Sequence, residues 1–195
     1  FSKALEEATP PKTPLFELLA RHPLETLGGT FAVVACFATY YLSTSFALGY
    51  GVTTLGYSRE AFLAIQLGAI LFMAIGIVIA GYWSDATTPR GVLMWGCGMV
   101  IVAGLLLAPM LGSGSLSLVF GFLSLSLFCM GFVYGPLGAF LPGLFPARVR
   151  YTGASVAFNV GGILGGGLAP LVAQLLADRG GLVTVGFYLG AAALV

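Results

Sequence analysis

The chain has 195 residues, of which 58% are apolar and only 8% charged, with 29 glycines and a formal net charge of +1. A soluble domain carries about 25% charged residues, so this chain cannot cover an aqueous surface with polar groups. Its near-neutral balance excludes nucleic acid and strongly acidic substrates as partners. Taken in chain order, residues 1–26 are polar and proline-bearing and hold Lys3, Glu6, Glu7, Lys12, Glu17, Arg21 and Glu25. Within them Leu15–Arg21 has amphipathic helical spacing and reads as a short surface helix or linker at the membrane face.

Apolar stretches of the length a helix needs to cross a bilayer follow at about 27–50, 61–83, 91–111, 116–141 and 151–177. A sixth begins at Val183 and covers about 20 Å to Val195, against a hydrocarbon core of ~30 Å. The pattern predicts an all-α, polytopic membrane bundle over 27–195 with its last helix cut short. A start at Phe1 rather than Met gives the same expectation of a fragment. Counting alternate connections, Lys3, Lys12, Arg21, Arg90, Arg148 and Arg150 fall on one side, and Arg59 and Arg179 on the other. That asymmetry predicts a cytoplasmic N-terminal linker and cytoplasmic loops at 84–90 and 142–150.

No Asp, Glu, Lys, Arg or His falls near the centre of a predicted span, which disfavours an intramembrane enzyme: Ser or Tyr alone lacks a base. Cys36, Cys97 and Cys129 lie singly in apolar stretches and read as small packing residues, with no disulfide or metal-ligand spacing. No cofactor or metal is expected.

Small residues recur every fourth position at Gly153, Ala157, Gly161, Gly165 and Ala169, the spacing that lets two helix backbones approach in lipid. Arg148 and Arg150 mark the water side of that segment as cytoplasmic anchors. Gly135-Pro136 and Pro170 interrupt spans and read as hinges or as static packing kinks. Polar side chains within the spans gather at Tyr40, Tyr41 and Thr44, with Gln66, Tyr134 and Asn159 elsewhere. Either a polar cavity or hydrogen bonds between helices satisfies such groups. Asn159 lies two residues, about 200°, from Ala157 and from Gly161, so it points away from the packing stripe and toward a cavity.

The loop Gly81-Tyr82-Trp83-Ser84-Asp85-Ala86-Thr87-Thr88-Pro89-Arg90 puts one acid and one base between two spans. Asp85 reads as facing a helix N-terminus, that of the span starting near Tyr151, with Arg90 binding carbonyls or pairing with it. A plainly solvated loop is the other reading.

Gly81-x-x-x-Asp85 resembles the loop motif of the major facilitator superfamily. Tyr134-Gly135-Pro136, Leu144 to Ser155 and Ile163 to Pro170 are similar to the tenth- and eleventh-helix segments of its metabolite/proton symporter family, which includes carriers for shikimate, 2-oxoglutarate, citrate, and proline or betaine. The resemblance covers nearly the whole chain. It implies the C-terminal six helices of a twelve-helix fold, lacking the N-terminal six. The function it implies is secondary transport of a small polar metabolite, an organic acid or betaine-like, across the cytoplasmic membrane by alternating access with protons. Leu137, Gly143 and Asn159 depart from the family pattern, so the resemblance does not extend to a particular substrate. A channel-like or purely structural bundle is the alternative.

Overall fold

The computed structural model describes residues 14–194; Lys3, Lys12 and the rest of 1–13 lie outside the described residues, as does Val195. Helix α1, Pro14–Arg21, is followed after His22 alone by α2, Pro23–Thr53. Then come α3, Arg59–Ala86, α4, Pro89–Leu111, and α5, Leu116–Gly143. Helix α6, Arg150–Gly162, passes through a π-helical turn, Ile163–Gly167, into α7, Ala169–Leu194. The apolar windows lie inside these helices, which run past them by about a turn or less where capping residues allow. Ser58 Oγ accepts from the Ala61 N–H at 3.2 Å, and Thr88 Oγ1 accepts from the Gly91 N–H at 3.2 Å ahead of Pro89 in the first turn. Helix α2 has 31 residues, about 46 Å, which crosses a bilayer core with length to spare.

The break between the fifth and sixth stretches falls in the interval 178–182 that the sequence leaves between them. The fifth and sixth apolar stretches are not joined by a loop but meet inside α7 at Gly181, whose φ of 72° and ψ of −173° reverse the chain in one residue. Glycine alone takes that conformation without strain. Thr184 Oγ1 closes the turn by donating to Leu176 O and Gly181 O, each at 2.8 Å. The helix therefore splits into a first part that completes the fifth span and a second part, 182–194, that forms the sixth. Gly56 and Gly114, the other residues with positive φ, sit in the two remaining connections at that same end. Tyr57 ties those two loops together by donating from its hydroxyl to Gly114 O at 2.6 Å.

Helices α5 and α2 are the most buried and form the centre, and α3, α4, α6 and α7 surround them. Little apolar volume separates the backbones, because glycines sit at the crossings. A Cβ on Gly161 would lie 2.6 Å from Thr30 O, and one on Gly165 2.6 Å from Val34 O, so the α6 stripe rests directly on α2. A Cβ on Gly131 of α5 would lie 2.6 Å from Met73 O of α3, and one on Gly104 of α4 would lie 2.6 Å from Gly186 O of α7. Three helix pairs are thus held by close backbone approach, the means of association open to helices in lipid, where apolar burial between helices drives nothing.

Candidate functional site

Helices α3 and α6 hardly touch each other, and the space between them over α5 is a groove of ≈ 320 Å³. Ile77 of α3 forms one wall, Ala154 and Phe158 of α6 the other, and Tyr134, Gly138, Leu141 and Pro142 of α5 the floor. The walls are set by packing. A Cβ on Gly135 would meet Ala80 Cβ and Ile77 O at 3.0 Å, so α3 is drawn against α5 on one side of Tyr134. Pro136 is buried behind it, and α5 stays helical through both Pro136 and Pro142. Tyr134 is 41% exposed and provides the one side-chain hydroxyl among the described residues of the lining. The described lining is thus uncharged, mostly apolar, and carries an aromatic wall and one hydroxyl, the make-up of a small-molecule pocket.

The other polar candidates divide. Gln66 is 6% exposed and donates through Nε2 to Ser43 O at 3.1 Å and Thr44 O at 2.9 Å. Those carbonyls belong to a π-helical turn of α2, Leu42–Phe46, where the wider ring releases backbone acceptors from the helix ladder. Gln66 therefore replaces lost backbone bonds across α2 and α3 instead of lining the groove. Thr44 donates back to Tyr40 O at 2.7 Å, and Ser43 and Ser126 share a 2.6 Å hydroxyl contact from α2 to α5. Ser43 belongs to the polar run of α2 that the sequence marks, but Ser126 did not stand out; a hydroxyl in a span reads like a small apolar residue until its partner helix is known. Tyr40 and Tyr41 meet edge to face at 5.3 Å, Tyr41 stacks on Phe37 at 6.3 Å, and Phe37 packs on Phe158 at 5.3 Å. This aromatic run ends in the groove wall, and Phe37 and Phe158 are the members that sequence reasoning missed.

Asn159 is exposed and donates within its own helix, to Ser155 O at 2.8 Å and Ser155 Oγ at 3.4 Å. It lies one residue beyond the groove wall at Phe158, on a surface no described helix covers. Pro170 follows the π turn of Ile163–Gly167, whose wide ring relieves the clash a proline makes with the carbonyl four residues before it. Gly153 is buried under the Phe145 ring.

Of the two readings of the 81–90 loop, the described residues match the solvated one. Asp85 is exposed and makes no ion pair or hydrogen bond among the described residues, with Arg90 or with the N-terminus of α6. Helices α3 and α6 stand apart across the groove, and Asp85 at the end of α3 meets no helix terminus among the described residues. Gly81 faces open space, and Arg90 reaches a second cavity between α2 and α4. The arginine doublet does have partners: Arg148 pairs with Glu17 of α1 at 3.7 Å, and Arg150 Nε donates to Phe145 O at 3.3 Å. The sequence places Glu17 in the amphipathic stretch Leu15–Arg21 but gives no sign of its partner Arg148.

A bundle of helices, five of them long and apolar enough to cross a membrane, tied by glycine contacts and cleft on one face, is a multi-pass membrane architecture. The sequence model of the Major Facilitator Superfamily matches residues 1–170, and the chain belongs to that family. It is 37% identical over 198 residues to the inner membrane metabolite transport protein YhjE of Escherichia coli, covering 99% of this chain and 45% of that protein. It is 23% identical over 185 residues to a proline/betaine transporter of Salmonella typhimurium, covering 95% of this chain and 37% of the relative. With the shikimate transporter of Escherichia coli the identity is 27% over 197 residues, 97% of this chain and 44% of the relative. The chain therefore spans about half the length or less of these curated relatives. No solved structure matches it.

Proposed function

We propose that these residues are the C-terminal six-helix half of a twelve-helix secondary carrier. It moves a small polar metabolite, an organic acid or a betaine-like compound, across the cytoplasmic membrane with protons. The observation that carries the reading is the groove: α3 and α6 stand apart over α5, leaving a cleft of ≈ 320 Å³ that a second six-helix half would close. In that arrangement the substrate sits between halves that rock around it. Tyr134 and Phe158 form this half's wall of the site, with Asn159 at its edge. The loops at 84–90 and 144–149 lie in the cytoplasm, as their arginines favour.

The proton-binding group lies outside residues 14–194, whose Asp, Glu, Arg and His side chains sit near helix ends or at the Gly181 break. Uptake of labelled shikimate, proline and betaine into proteoliposomes holding the native protein tests this. Saturable uptake of one of them, driven by an inward proton gradient and lost with a protonophore, is the expected result. Flux that never saturates and ignores the gradient refutes it in favour of a channel-like bundle.

A further inference from the structure

We propose that the outward face of α1 docks in the headgroup region of the bilayer and straps the α5–α6 loop to the membrane surface. The helix has two different faces. On the inner one, Leu18 is fully buried against Phe145 and Val149 of the loop, and Glu17 pairs with Arg148 at 3.7 Å and Arg21 at 3.9 Å. On the outer one, Leu15, Phe16 and Leu19 are 51%, 74% and 55% exposed.

Three large apolar side chains on an eight-residue helix are stable in that position only with an apolar cover. Lipid is the cover that the surroundings supply. A single residue, His22, separates α1 from α2, so the patch continues into Leu24 and Leu27 on the first turns of a span-length helix, both exposed.

Aromatic residues mark the same level. Tyr82 and Trp95 flank the 84–90 loop and Tyr151 follows the 144–149 loop, all largely exposed, as residues of an interfacial belt are. Arg21, at 74% exposure, and Arg148, at 43%, present guanidinium groups beside the patch, which complements lipid phosphate. An apolar face flanked by arginines, at the end of a transmembrane helix, matches a helix lying in the interface plane.

Spin labels test this in the native protein, with Cys36, Cys97 and Cys129 replaced by alanine and the protein reconstituted in vesicles of phosphatidylcholine and phosphatidylglycerol. Labels are introduced by Phe16→Cys, Leu19→Cys and Arg21→Cys. The expected result is an oxygen-to-nickel-chelate accessibility ratio severalfold higher at 16 and 19 than at 21. Equal, nickel-dominated accessibility at all three sites means a water-exposed helix and overturns the proposal. Labels at 16 and 19 that neither reagent reaches mean cover by protein and overturn it equally. Phe16→Trp keeps the native cysteines and repeats the test on the emission this variant adds over the parent's: lipid brominated near the headgroup must quench that added emission, and added emission that this lipid leaves unquenched sinks the idea.

Discussion

Gln66 illustrates how one side chain is assigned once its neighbours are known. Its amide donates to two carbonyls released by the π turn in α2. Gln66→Leu leaves both acceptors buried without a donor, a loss of about 1–3 kcal/mol. Thermal unfolding of the purified protein in detergent is expected to show that loss, while substrate affinity stays near the parent value. Asn159 should behave oppositely. It is exposed and bonds only within its own helix, so Asn159→Leu is expected to leave the unfolding transition unchanged to within about 0.5 kcal/mol, as at other surface sites. If it meets substrate at the edge of the groove, affinity measured on the same variant falls by about 5-fold or more. A leucine variant that melts early and binds normally would place Asn159 against another helix.

At the scale of the helices, the packing rests on positions where only glycine fits. A side chain at Gly161 would run into Thr30 O and Val33, so Gly161→Leu is expected to separate α6 from α2 and destabilise the bundle by about 1–3 kcal/mol or more. Gly138, by contrast, faces open space at the groove floor. Gly138→Ala is expected to keep or slightly raise stability, because alanine is the better helix former by about 1 kcal/mol. Melting curves of the two variants side by side check the contrast. The stripe at Gly153, Gly161 and Gly165 was legible because helical periodicity puts residues four apart on one face. Its partner was not: Thr30, Val33 and Val34 carry no mark of contact in the sequence. Gly76 with Gly131, and Gly104 with Gly186, were equally invisible, since each is an ordinary glycine until two distant spans are set side by side. Gly181 was missed for a related reason. A hydrophobic window sees only that polarity dips near Asp178-Arg179, and cannot tell a loop from a one-residue reversal.

For the whole molecule, the proposed reading makes the groove one half of a site that a second six-helix half closes. Residues 1–195 reconstituted alone are therefore expected to give no saturable, gradient-driven uptake, whereas the native protein gives it; side-by-side proteoliposome assays measure the difference. Saturable uptake by residues 1–195 would mean that the groove is a complete site.

Composition and periodicity by themselves determined that this chain crosses a membrane as helices, roughly where each helix runs, and through its composite motif which family it belongs to. These are properties of consecutive residues: apolar length, helical spacing and the placement of arginines. Only the tertiary structure decided what each polar residue does. It assigned Gln66 to a π turn, left Asp85 without a partner among the described residues, and joined Arg148 to Glu17. It also brought Tyr134 and Phe158 into one cleft. The reason is physical: a buried hydrogen bond or a groove wall depends on which residues of other helices arrive opposite, and that pairing is fixed by three-dimensional packing at glycine contacts.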